Sequence, residues 1–154
     1  MNPILPGEKI IIGYASGTFD LFHIGHLNLL RRAREQCDYL VVGVHRTAAF
    51  KGGEICIPFE ERVAVLEGCR YVDRVIEACD EDTDDWERLH FDRLFVGDDY
   101  RGSERFQRYE AFFRDKGVEI VYFPYTRETS SSAIRRRIRE ALKKTESSGA
   151  GDPC

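Results

Sequence analysis

Short apolar runs recur along the chain, and longer stretches with apolar positions three and four residues apart lie between them. Lys9–Ala15, bounded by small residues, predicts a first buried strand. Tyr39–Val44 predicts a second, too uniformly apolar for a half-exposed sheet. Val72–Ile76, Leu94–Gly97 and Val118–Phe123 predict three more. Leu27, Leu30, Ala33 and Cys37 fall at helical spacing and predict a helix over about Ile24–Gln36. Pro58 opens a second helix through Val63 and Leu66, because a proline in the first turn costs no hydrogen bond. Further helices are expected near Trp86, over Phe106–Lys116 and over Ser131–Lys143.

Strands alternating with helices predict an α/β fold, a parallel sheet covered on both faces. Five strands in a chain this short favour a doubly wound, Rossmann-like sheet of order 3-2-1-4-5 over a barrel. In that order the chain reverses between the first and fourth strands, and a crevice opens at their carboxyl ends. Ser16–His26 and Gly97–Tyr100 are expected to face it. At 154 residues the sequence suits one domain, expected over 8–144, and the Ser/Gly-rich composition from Thr145 to Cys154 predicts a disordered tail.

Composition narrows the function by exclusion. A net charge of −4 gives no general attraction to nucleic acid, so a bound anion needs a local site. No stretch reaches the ~20 apolar residues of a membrane span, and no secretory signal opens the chain, so a cytoplasmic address is expected. The cysteines lack a C-x-x-C pair, which argues against zinc and a disulfide framework; Cys37, Cys56, Cys69 and Cys79 read as buried thiols.

The candidate chemistry lies after the first strand. Gly17 permits close backbone approach, Thr18 offers a hydroxyl, and a helix N-terminus follows with free N–H groups and a favourable dipole. His23 and His26 share one face of that positive end. Gly25 between them costs about 0.8–1 kcal/mol of helix stability, which makes sense if something lies against the backbone. A histidine pair at this spacing also suits a half-buried polar patch; a metal site would need a cysteine or third histidine nearby, and none follows.

Taken together, Gly17–His26, Asp38–Val42, Arg70–Ile76, Gly97-Asp98-Asp99 and Ser130–Arg135 resemble the cytidylyltransferases, in particular the small bacterial glycerol-3-phosphate enzymes, over roughly Ile10–Arg139. The resemblance implies attack of a substrate phosphate on the α-phosphate of CTP, release of pyrophosphate, a need for Mg²⁺ and no covalent enzyme intermediate. It implies catalytic roles for His23, His26 and Lys51, and nucleotide contacts from Gly17, Thr18, Phe19, Gly25, Asp99, Thr126, Ser130 and Ser131. It implies acceptor contacts from Asp20, Lys51, Arg62, Arg70 and Trp86, and a homodimer paired around Arg70–Asp73.

On the residues alone, Lys51 also reads as a solvated loop lysine, Arg62 and Arg70 as surface residues, Asp99 as a turn residue and the serines as helix caps. The chain departs from the family at Tyr125-Thr126-Arg127-Glu128, where the relatives carry Arg-Thr-x-Gly, and at the glycines after Lys51. Asp80–Asp85 reads as a solvated loop; the resemblance implies that Trp86 beside it closes over the acceptor. Arg135–Arg139 reads as an exposed helix face. Three functions follow: CMP transfer from CTP to a small phosphorylated alcohol, AMP transfer from ATP, or a catalytically silent nucleotide-binding module.

Overall fold

A computed structural model of the protein describes residues 5–48, 54–125 and 129–147. The strands are β1 (Ile12–Gly17), β2 (Tyr39–Val44), β3 (Arg74–Glu77), β4 (Arg93–Gly97) and β5 (Glu119–Phe123). The helices are α1 (Ile24–Glu35), α2 (Phe59–Glu67), α3 (Asp82–Leu89), α4 (Glu104–Phe113) and α5 (Ser131–Ser147). The sheet is wholly parallel in the expected order, β3-β2-β1-β4-β5.

Alternation along the central strands divides the core in two. Ala15, Leu40, Val42 and Phe95 face Leu30, Ala33 and Leu66 from α1 and α2. Tyr14, Val41 and Leu94 face Phe106, Tyr109 and Phe113 from α4, with Trp86 of α3 packed against them. Strands buried on both faces lose the polar alternation of a half-exposed sheet, which is why they read as continuous apolar runs.

The ladders explain the crevice. β1 and β2 stay paired from Ile12↔Tyr39 to Gly17↔Val44, whereas β1 and β4 share only Gly13↔Arg93 and Tyr14↔Leu94. β4 continues along β5 as far as Gly97↔Phe123. The two central strands therefore part over their carboxyl halves, at the reversal of strand order.

Several boundaries differ from expectation. β1 starts at Ile12, because the Ile11 N–H is taken by the Asp38 carboxylate and its carbonyl by the Asp38 and Tyr39 N–H groups. Pro58 caps α2 from outside rather than lying in its first turn. α5 runs to Ser147, so residues 145–147 of the expected tail are helical. Cys56 is exposed, Cys69 and Cys79 are half-buried, and only Cys37 is buried among the described thiols.

The acidic run is the main correction. Asp82 and Asp85 are buried within α3 instead of lying in a solvated loop. Each carboxylate has a hydroxyl to hold: Ser16 donates to Asp82 at 2.5 Å and Tyr14 to Asp85 at 2.6 Å. No helix among the described residues is long and apolar enough to cross a membrane.

Candidate active site

Strand β1 ends at Gly17, and the chain turns into α1 through two residues with left-handed backbone, Phe19 (φ 52°) and Leu21 (φ 53°). That conformation costs a non-glycine residue on the order of 1–3 kcal/mol and persists only where surroundings over-determine it. Here they do. The Phe19 ring is buried beneath the His26 imidazole at 5.2 Å, and a Cβ on Gly17 would come within 3.1 Å of that ring.

His23 is the N-cap of α1, and its Nδ1 accepts the Gly25 N–H at 3.0 Å. The Nδ1 of His26 in turn accepts the His23 N–H at 3.3 Å, a capping box made of two histidines. With both Nδ1 atoms accepting, each neutral ring carries its proton on Nε2 and becomes a donor there. The rings stack at 3.8 Å, and burial holds His23 below the usual histidine range, so it stays neutral at pH 7. A Cβ on Gly25 would fall 2.8 Å from the His23 ring, so the neighbour that demands glycine is the histidine itself.

Asp20, expected to meet the acceptor, is 2% exposed and occupied by the protein. Its oxygens accept the N–H groups of Cys56 (2.8 Å) and Ile57 (2.9 Å), and the Arg135 guanidinium pairs with Oδ2. Burial alone would raise its pKa; the N–H donors and the guanidinium overcome this and hold the carboxyl below the usual range. Arg135 is thus drawn out of the expected exposed face, while Arg136, Arg137 and Arg139 remain on it.

Arg62 is likewise 2% exposed. Its Nε donates to the Ile57 carbonyl, Nη1 to Thr18 and His45, and Nη2 to Arg46, all within 2.7–3.0 Å. A surface arginine or an acceptor clamp would keep those donors for water or phosphate. Here backbone carbonyls take them.

Ser130 accepts the Ala133 N–H as the cap of α5, and Ser131 donates to the Asp20 carbonyl at 2.6 Å. Ser130 therefore closes the first turn of α5, and Ser131 holds that turn against the β1–α1 loop. Asp99 lies exposed in the short turn Asp98–Tyr100 after β4. A Cβ on Gly97 would fall 2.5 Å from its carboxylate, so glycine lets that side chain fold back over the strand end. Lys51 and Thr126 lie outside the described residues.

Two expected acceptor residues are not brought to the histidines. Trp86 packs edge-on to Phe112 and Phe113, and its indole N–H donates to the Phe91 carbonyl at 3.1 Å. It belongs to the core on the α3/α4 face, because α3 is amphipathic rather than a loop. Arg70 precedes β3, next to the Asp73 N–H that donates to Leu40 at the start of β2. Within one chain that is the amino-terminal end of the sheet, opposite the crevice. There it lines a depression of about 370 Å³ with Arg31, Arg34, Glu35 and Tyr71.

Sequence reasoning missed a network on the opposite side of β1. Tyr109 Oη accepts the Asp82 N–H (3.1 Å) and the Arg105 Nε–H (2.8 Å), and donates to Glu81 at 2.6 Å. Burial pushes the Asp82 carboxyl up to about 6, with the Ser16 hydroxyl opposing the shift. Burial and then the Asp85 charge push the Tyr14 hydroxyl well above the usual range. The signal available was the spacing of Asp82, Asp85 and Trp86 with Leu89 on one helical face.

The family described as Cytidylyltransferase-like matches residues 14–137. Glycerol-3-phosphate cytidylyltransferase of Staphylococcus aureus is 35% identical over 134 residues, spanning 84% of this chain and 95% of the relative. The Bacillus subtilis enzyme of the same name is 36% identical over 140 residues, spanning 84% and 97%. Among solved structures, the lipopolysaccharide core biosynthesis protein of Thermoplasma volcanium superposes with a TM-score of 0.67 at 26% identity, over 77% of this chain and 99% of that one. A match across most of the sequence, to relatives aligned nearly end to end, means that the chain belongs to the cytidylyltransferase-like family.

Proposed function

We propose that this protein transfers CMP from CTP to a small phosphorylated alcohol, glycerol 3-phosphate being the lead candidate, with release of pyrophosphate. The observation that carries the reading is the histidine pair at the α1 N-terminus, each ring fixed through Nδ1 so that Nε2–H is the donor. The relatives named for this activity support it along nearly their whole length.

In this reading an acceptor phosphate oxygen forms a bond to the α-phosphorus as the bond from that phosphorus to the bridging oxygen breaks. Negative charge builds on the departing pyrophosphate. His23 and His26 donate hydrogen bonds to it, and the positive end of α1 favours it further. Neutral imidazoles suffice, because the task is to hold charge rather than to move a proton. The donors of the histidine loop are N–H groups and hydroxyls, which suit phosphate oxygens; Mg²⁺ would be carried in with the triphosphate and would offset its charge. The same reading carries a cytoplasmic homodimer paired around Arg70–Asp73, which sedimentation of the purified protein checks.

The test is pyrophosphate release with Mg²⁺ and CTP or ATP, across a panel of phosphorylated acceptors. CTP with glycerol 3-phosphate is expected to turn over fastest. Release only with ATP would move the chain to adenylyl transfer, and nucleotide binding without release from any pair would leave it a silent binding module.

A further inference from the structure

The geometry points to Arg62 as a positioning residue for this reaction, one that sets the histidine loop against both ends of the β2–α2 connection without touching the acceptor. The inference rests on the proposed transfer and adds to it how the site is held in register.

Its carbonyl partners come from three separate segments. Thr18 lies in the β1–α1 loop, immediately before the residues that carry the histidines. His45 and Arg46 follow β2 and form one end of the connection to α2. Ile57 forms the other end, just before that helix. One guanidinium therefore ties together the exit of β1, the exit of β2 and the entry to α2.

Only arginine suits this task, because its planar fork offers five donors in fixed directions and an ammonium cannot reach four carbonyls placed around a plane. A buried cation solvated by carbonyl dipoles alone is costly unless its geometry is good. Among the described residues Arg62 has no carboxylate within ion-pair distance, and burial lowers its pKa while the charge of nearby Asp20 opposes the shift. Asp20 completes the arrangement from the other side. It accepts the Ile57 N–H while the Arg62 Nε–H donates to the Ile57 carbonyl, so the same residue is gripped at both polar groups. Asp20 also accepts the Cys56 N–H, and its own carbonyl accepts from Ser131. Two buried, opposite charges thus form a buckle across the segments that frame the histidines.

A displacement of about 1 Å at a reacting centre can cost on the order of 100-fold in rate. Arg62→Lys keeps the charge and loses the fork. Steady-state kinetics with CTP and glycerol 3-phosphate, together with amide hydrogen exchange, test the assignment. In Arg62→Lys we expect kcat to fall by about 100-fold with the acceptor KM within about threefold of wild type. We also expect faster exchange at the Cys56 and Ile57 amides. A rise of about tenfold or more in acceptor KM with unchanged kcat and exchange would make Arg62 a phosphate contact and overturn the proposal. Faster exchange with unaltered kinetics would reduce it to a folding residue and overturn it too. The exchange measurement needs no turnover: unchanged protection at Cys56 and Ile57 overturns the buckle even if the wild-type protein transfers nothing, and a wild type without pyrophosphate release separately removes the transfer reading.

Discussion

Two clusters of buried charge flank β1, one on each face of the sheet, and they are built on opposite plans. On the α1/α2 side, Asp20, Arg62 and Arg135 are of mixed sign, and their partners are largely backbone N–H and carbonyl groups. On the α3/α4 side, Asp82 and Asp85 share one sign; the hydroxyls of Ser16 and Tyr14 donate to them, and Asp85 also accepts the Cys79 N–H and pairs with Arg88. Opposite charges that grip the backbone fix where loops lie. Like charges that each take a buried hydroxyl fill a polar hole in the core, and burial raises the Asp82 carboxyl to about 6. The first plan suits the side that carries the histidines, where geometry must not vary with pH.

The pH dependence of stability separates the two. The folded pKa of Asp20 is held below the usual 3.8, so its contribution is present above that value and is lost as pH falls through the lower, folded value. Asp82 behaves oppositely. Its folded pKa is raised from 3.8 to about 6, so the folded state is favoured while the group is protonated and loses stability as pH rises from about 4 to 6.

Breaking the first cluster is expected to have the largest effect. Asp20→Asn leaves Arg135 without its anion and replaces an acceptor for two N–H groups, so it is expected to cost about 3–5 kcal/mol at pH 7. Urea unfolding measures this. A loss below about 1 kcal/mol would mean that the backbone contacts hold without the charge. His26→Ala comes next: transfer is expected to slow by about 10²–10³-fold, as when a donor to developing charge is removed. Loss of its half of the cap is expected to cost only about 0.5–2 kcal/mol of stability, and equal loss of folding and activity would contradict the role.

How far the sequence reveals these clusters depends on the range of their partners. Gly17–His26 is legible because a strand end, a glycine and a helix start are local chemistry, and the histidine cap closes within three residues. The strand order is legible because apolar runs and helical spacings alternate without ambiguity. The burial of Asp85 shows only in its helical spacing with Asp82, Trp86 and Leu89; the hydroxyl that receives it, Tyr14, lies 71 positions away in β1 and leaves no local mark. Arg62 is legible as important and misread in kind: carbonyl partners leave no mark in a sequence. Trp86 is misplaced for a related reason, since proximity along the chain to an acidic run says nothing about which face of the sheet its helix covers.

The second cluster yields a smaller effect of opposite sign. Asp82→Asn removes a carboxylate that must ionise in a buried site, while its amide oxygen can still accept from Ser16. Stability at pH 8 is expected to rise by about 2–3 kcal/mol, and the gain to vanish near pH 4, where the wild-type group is already protonated. Parallel denaturation series at the two pH values check it; a gain that is the same at both would assign the effect to packing instead of charge.

The smallest effect expected on catalysis belongs to Trp86, and it tests whether the α3/α4 side is separate from the acceptor. Trp86→Phe keeps an aromatic ring against Phe112 and Phe113 but removes the N–H that satisfies the Phe91 carbonyl, a loss of about 1–2 kcal/mol in stability. Because the indole lies among core rings and not in the crevice, acceptor KM is expected to stay within about twofold of wild type. A KM rise of about tenfold would instead bring α3 to the acceptor during turnover. The contrast between a side that frames the histidines and a side that only builds the core would then fail at this residue, because both faces of β1 would serve the substrate.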